Sequence, residues 1–240
     1  MEKRVPGKEG GRGALGLGLG LVAGALGGFI VGRWLTAPRK MPYLYTWQRV
    51  MAKERGELEA AMLASRVQSR YEELYVQRPR FSHRALRLHL ERIILPGLAL
   101  YQVLGEESGG REAALAEVET LFQAVFGRFR RLMPPLALFP NPFAVFRRAV
   151  WWVMQVGFPP QGWEVDWVED SDQCLAYDVR RCFYLDILTS YGTPELTALY
   201  CNADDLAFDA LPSSITWERT KTLGRGDAVC DFRWCHASRK

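Results

Sequence analysis

A switch of hydrophobic period at Pro159-Pro160 constrains this chain more than any other feature. Before it, apolar residues recur every three or four positions, the spacing of helices with one buried stripe. After it, apolar and polar residues alternate, the spacing of half-buried strands. One segment cannot satisfy both periods, because successive strand side chains point to opposite faces. The chain is therefore expected to be α+β, a helical N-terminal part followed by a small antiparallel sheet covered by helices. Composition segregates in the same direction. All five cysteines and every aspartate lie between Asp166 and Cys235, whereas residues 1–149 hold neither type.

Residues 46–158 read as the helical region. Residues 46–77 predict one long amphipathic helix rich in Glu, Arg, Ala and Leu. Ser82 is placed to cap a second helix running to about Leu104, kinked at Pro96, where a backbone donor is lost and the preceding turn is crowded. A loop over Glu106–Gly110 leads to a third helix at 111–132. Pro134, Pro135, Pro140 and Pro142 then interrupt the chain before a short apolar helix at 143–156, which carries Trp151 and Trp152. Within the α+β domain, 159–240, strands are expected at 163–168 and 173–180 across an acidic turn. Helices at 182–190 and 194–210 follow, then strands at 214–220 and 227–235.

Ahead of these elements, residues 13–32 form an uncharged run of 20 between Arg12 and Arg33. That length crosses a bilayer core as a helix. It predicts one transmembrane anchor over 13–35, between a basic tail (1–12) and a linker (36–45). Gly16, Gly20, Gly24, Gly28 and Gly32 lie on one stripe, which is either a homo-oligomer contact of the GxxxG kind or simply a Gly-rich anchor. A cleaved signal peptide is the alternative, but the apolar run continues past Ala23-Gly24-Ala25 to Val31, which favours retention. The flanking Lys and Arg lean slightly toward a cytoplasmic C-terminal domain on a single-pass membrane protein. An odd number of cysteines, without the spacing of a secreted disulfide scaffold, leans the same way. Residues 1–149 carry 23 Lys and Arg against 13 Glu, while residues 150–240 carry 8 against 14 acidic residues. The basic half lacks the aromatic interleaving of a single-strand binder, so anionic lipid headgroups suit it better than nucleic acid.

Candidate chemistry lies in the last third. Strand parity places Cys230, Phe232 and Trp234 on one face, with Asp231, Arg233 and Cys235 on the other. A buried thiol packed among aromatics is the plain reading of Cys230. Leu175, Tyr177 and Val179 share a face, opposite Cys174, Asp178 and Arg180, the last two read as a solvated ion pair. Cys201 and Asp205 are four apart on a helix, beside Asp204; a carboxylate there raises a thiol's pKa unless a cation intervenes. Asn202 and Asp204 equally suit helix capping. No CxxC pair is present, and the intervals from Cys174 through Cys182, Cys201 and Cys230 to Cys235 and His236 match no zinc module, so no metal is expected. His83 and His89 are expected at the surface of an Arg-rich helix. No Ser-His-Asp order, Walker loop or dinucleotide fingerprint occurs, and no cofactor is expected.

Three segments then carry a resemblance: LALYQVLGEESGGREAALAEVETLF (98–122), RCFYLDILTSYGTPELTALYCNADDLAF (181–208) and ITWERTKTLGRGDAVCDFRW (215–234). Their ordered positions Cys182, Glu195-Leu196, Cys201, Asp204, Thr220-Lys221-Thr222-Leu223, Gly226-Asp227 and Cys230-Asp231-Phe232-Arg233 resemble the L-2-amino-thiazoline-4-carboxylic acid hydrolase family over about residues 84–235. The resemblance implies a small-molecule substrate and hydrolytic opening of a 2-amino-thiazoline ring to N-carbamoyl-cysteine. Its residues suggest Cys230, Asp231, Cys201 and Asp204 as catalytic candidates, with Cys182, Glu195, Lys221, Asp227 and Arg233 around the substrate. Such chemistry needs a base or nucleophile, a group to hold developing charge, and a cation for the substrate carboxylate. Asp231, Asp204 or Asp205 would activate water, or Cys230 or Cys201 would attack directly. Lys221 or Arg233 would hold the carboxylate. The alternative is a non-catalytic, membrane-tethered binding or scaffold module on the same fold, since fold alone does not establish chemistry.

Overall fold

A computed structural model describes residues 40–107 and 109–237. The expected transmembrane segment over 13–35 and its Gly stripe lie outside the described residues. Among the described residues, no helix is long and apolar enough to cross a membrane.

The helical layer comprises α1 (Leu44–Arg55), α2 (Glu57–Gln77), α3 (Arg84–His89), α4 (Leu95–Glu107), α5 (Arg111–Phe126) and α6 (Pro142–Gly157). The single helix expected over 46–77 is two, because Gly56 adopts φ +83° and ends α1; glycine meets no Cβ penalty in that conformation. His83 rather than Ser82 caps α3, its Nδ1 accepting from the Ala85 N–H at 3.2 Å. The third helix stops at Phe126 and continues as 3-10 turns over Gly127–Leu132 and Pro134–Leu138.

The kink expected at Pro96 is absorbed just before it, by a π turn over Leu90–Ile94. The wider turn accommodates a residue that cannot donate a helix hydrogen bond. Its loosened carbonyls are taken up from another element. The Tyr200 hydroxyl donates to Ile93 O at 3.0 Å and lies 3.3 Å from Ile94 O. Gly97 makes room, since a Cβ there would sit 2.1 Å from the Tyr200 oxygen. Pro96-Gly97 thereby creates a socket for a side chain adjacent to Cys201.

The sheet is antiparallel in the order β1-β2-β4-β3, with β1 Trp163–Asp170, β2 Cys174–Cys182, β3 Ile215–Glu218 and β4 Cys230–His236. Helices α7 (Phe183–Ser190) and α8 (Thr197–Phe208) intervene between β2 and β3. Register places Leu175 opposite Trp234, Tyr177 opposite Phe232 and Val179 opposite Cys230. This inner face, with buried Leu175, Tyr177, Val179, Cys230 and Trp234, matches the parity expected from sequence.

Three expectations are corrected. Cys174 and Cys235 are cross-strand neighbours joined by a disulfide, leaving Cys182, Cys201 and Cys230 as the free thiols. Asp178 pairs with Arg233 at 2.5 Å, not with Arg180, which turns to Asp166 on β1. His89 is buried, not a surface residue. Its Nε2–H donates to Gly157 O at 2.9 Å, which leaves Nδ1 to accept from the Tyr184 hydroxyl at 2.8 Å. Burial pushes its pKa down to about 4, keeping the ring neutral.

Candidate active site

The three free thiols come from three elements and meet where α8 crosses the inner face of the sheet. Cys230 opens β4, Cys201 lies in the middle of α8, and Cys182 ends β2 at the N-cap of α7. The position of α8 is set by Tyr200 in its socket and by Asn202, whose Nδ2 donates to Glu119 and whose Oδ1 accepts from Arg225. Gly224 closes the site from the loop between β3 and β4. A Cβ there would lie 3.0 Å from Cys201 Sγ and 3.0 Å from the Ala198 nitrogen.

Cys201 and Cys230 act as one unit. The Cys201 thiol donates to Cys230, which with burial holds Cys201 far above the usual thiol range. The same hydrogen bond lowers the pKa of Cys230 against the opposing effect of burial. Cys230 Sγ also accepts from the Leu223 N–H at 3.2 Å. Two donors on one sulfur favour its thiolate. Burial pushes the Cys182 pKa up to about 11 despite the Leu185 and Tyr184 N–H groups at the head of α7, so Cys182 remains a neutral thiol.

Arg219, which sequence reasoning missed as a site residue, supplies the cation. Its side chain is 1% exposed, and the guanidinium donates to Asp204 at 3.1 Å, Asp205 at 2.7 Å and the Cys201 carbonyl at 2.7 Å. It sits over the rings of Trp217 and Phe232. Parity offered a signal, because Ile215, Trp217 and Arg219 continue one inward face beyond the end of β3. Packing around Asp204 pushes its carboxyl up to about 6, while Arg219 pulls it down. With 46% of that side chain exposed, solvent counters part of the push.

Two further hydroxyls line the same region. Thr197 lies one turn before Cys201 on α8, and Thr222 precedes Leu223; both Oγ1 atoms are buried without a hydrogen-bond partner among the described residues. Buried polar atoms are normally paired, so these mark polar demand beside the thiols. Tyr177, whose hydroxyl is raised first by burial and then by Asp204, is another neighbour unrecognised from sequence. So is Tyr184, which His89 orients.

The remaining sequence candidates lie around this cluster. Asp231 faces outward and grips the loop, accepting from the Thr220 N–H at 2.9 Å, the Thr220 hydroxyl at 2.6 Å and the Lys221 N–H at 2.6 Å. Burial opposes ionisation, but these donors outweigh it and hold the carboxyl below its ordinary pKa. Such a carboxylate is a loop anchor and a weak base. Asp227 accepts from the Thr222 N–H at 2.8 Å and closes the next turn. Glu195 accepts from the Tyr101 hydroxyl at 2.7 Å and from Arg111. Arg233 is tied on the outer face to Asp178 and the Tyr177 carbonyl. Lys221 is exposed and makes no ion pair among the described residues.

Among the described residues, no group of three or more His, Cys, Asp or Glu is arranged to hold a metal ion. Two shallow surface depressions, one beside Ser65 and Glu106 and one beside Asn141 and His236, lie away from the thiols.

A family model described as L-2-amino-thiazoline-4-carboxylic acid hydrolase matches residues 87–234. The match takes in every residue of the thiol cluster. No curated protein and no solved structure matches the chain.

Proposed function

The chain belongs to the L-2-amino-thiazoline-4-carboxylic acid hydrolase family, and from that premise we propose that it opens a 2-amino-thiazoline or related cyclic amidine by covalent catalysis at Cys230. The observation that carries this reading is the Cys201–Cys230 pair. One thiol is spent as a donor, and together with the Leu223 N–H this favours ionisation of the other.

The reacting form has Cys230 as thiolate and Asp204 protonated. Asp204, ion-paired with Arg219 at rest and with a pKa of about 6, enters that form by taking up a proton. The thiolate adds to the ring carbon between nitrogen and sulfur. The displaced electron pair moves to the ring nitrogen, which takes the proton of Asp204. Collapse re-forms the double bond to the exocyclic nitrogen and breaks the ring carbon–sulfur bond. The proton lost from that nitrogen ends on the departing substrate sulfur. The carbon is now bound to Cys230 as an isothiourea. Asp204, now ionised, takes one proton from water as the water oxygen adds to this carbon. The carbon–nitrogen double-bond pair moves to the exocyclic nitrogen, which takes the second water proton. Expulsion of the Cys230 thiolate gives the urea, N-carbamoyl-cysteine, and regenerates both groups. Raised toward neutrality, Asp204 suits giving and then taking a proton. Lys221, exposed and without an ion pair among the described residues, is the cation offered to the substrate carboxylate.

The test is incubation of the full chain with 2-amino-thiazoline-4-carboxylate, with N-carbamoyl-cysteine followed by mass spectrometry. Cys230→Ser is expected to remove turnover, and Asp204→Asn to slow it by about 100- to 10,000-fold. Full turnover by a folded Cys230→Ser protein would refute the covalent route. The enclosure of the thiols favours a second reading, a binding or scaffold module. Tight binding of the thiazoline without product would establish it.

A further inference from the structure

Between Glu119 and Glu164 the chain has no acidic residue but five arginines, Arg128, Arg130, Arg131, Arg147 and Arg148. Two parts of this segment project apolar surface. Helix α6 buries only Phe143 and Phe146, near its N-terminus. Its other half leaves Trp151 48%, Trp152 44% and Val156 48% exposed. It packs against the Pro134–Leu138 turn, where Leu138 is 85% exposed, close in sequence to exposed Phe129 and Leu132. Neighbouring apolar exposure of this kind marks an interaction surface.

Charge identifies the occupant. Arg147 is spent on Asp170 and Asp172. Arg130, Arg131 and Arg148 are exposed and have no carboxylate at ion-pair distance among the described residues. A second copy docking here about a two-fold axis would set arginines against arginines, the nearest carboxylates, Asp170 and Asp172, being held by Arg147. Tryptophan beside unpaired arginine instead suits the headgroup boundary of an anionic bilayer. The chain also enters the described fold beside this segment. The Tyr43 ring packs on Phe126 at 5.7 Å, and Arg128 donates to Thr46 Oγ1 at 3.4 Å.

We propose that the Gly127–Leu138 stretch and the C-terminal half of α6 seat the protein on an anionic lipid surface. This contact is distinct from any span formed by residues 13–35 and fixes which side of the domain faces the membrane. Arg130, Arg131 and Arg148 bind lipid phosphates while Trp151, Trp152 and Leu138 enter the boundary below them.

The test uses the full chain in phosphatidylcholine vesicles with about 30 mol % phosphatidylglycerol and brominated acyl chains, which quench tryptophan emission on contact. Trp151 and Trp152 are two of eight tryptophans. The wild-type protein is therefore expected to lose up to about a quarter more of its emission than Trp151→Phe/Trp152→Phe. That excess should fall in pure phosphatidylcholine, and in Arg130→Gln/Arg131→Gln/Arg148→Gln with an unchanged circular dichroism spectrum. Equal quenching of wild type and the Trp variant overturns the proposal, as does an excess indifferent to lipid charge and to the arginines. Shielding of Trp151 and Trp152 from aqueous acrylamide without lipid also overturns it. That shielding would assign the face to a second copy if it depends on concentration, or to the chain's own apolar run if it does not.

Discussion

Replacing Arg219 by Met isolates the charge at the centre of the site, because Met keeps an apolar stem against Trp217 and Phe232. The Arg219 side chain is 1% exposed and serves two carboxylates and a carbonyl. Removing one partner of a fully buried ion pair costs about 3–5 kcal/mol. Here Asp204 and Asp205 are 46% and 36% exposed, so water recovers part of their solvation. The expected loss at pH 8 is then about 2–3 kcal/mol. For a domain of this size that is about 4–12 °C in Tm. The sign with pH separates charge from packing. Burial raises the Asp204 pKa to about 6 even with Arg219 opposing it, so removal of Arg219 raises it further. A carboxyl with a raised folded pKa binds its proton more readily in the native state, and its unfavourable contribution grows as pH rises through that window. The deficit of Arg219→Met should therefore shrink between pH 8 and pH 5, as the stranded Asp204 carboxylate protonates. Urea unfolding at both pH values measures it. A loss below about 1 kcal/mol, or one identical at the two pH values, would refute the charge argument.

Other expectations test neighbouring parts of the fold. Gly224→Ala would place a methyl 3.0 Å from backbone and from Cys201 Sγ. It should destabilise by about 1–3 kcal/mol and depress turnover more than stability, because the loop carrying the Leu223 N–H must move. His89, neutral with a folded pKa of about 4, gives up stability as pH falls from about 6.5, where the unfolded chain takes a proton that the native state refuses. The loss approaches about 3 kcal/mol near pH 4; in His89→Asn, unfolding measured across that range should be flatter. The Cys174–Cys235 bond closes a sequence separation of 61, worth about 4 kcal/mol in the chain-entropy account. Alkylation of the unreduced, denatured protein should modify three cysteines, and modification of all five would remove this contribution.

Period and parity carried most of the architecture. Alternation around Tyr177 and Phe232 already assigned Cys230 to the buried face and Asp231 and Arg233 to the opposite one, because a strand has only two faces. The same rule, extended past Trp217, points Arg219 inward. Helix boundaries were less readable at Gly56 and Phe126, where a single backbone conformation ends a pattern that the apolar spacing would have continued. Nothing local marks Leu90–Ile94 as a π turn filled by Tyr200. That contact exists only because two elements about a hundred residues apart in sequence pack together. His89 was misplaced for the same reason, since its burial depends on α6, β1 and α7 converging on it. Sequence alone therefore determined which strand residues face the interior and where the thiols and aspartates are concentrated. Tertiary structure decided which of them meet: Cys174 with Cys235, Cys201 with Cys230, and Arg219 with Asp204 and Asp205. Facing is a property of one strand or helix, whereas ionisation depends on the solvent and charges that other elements supply.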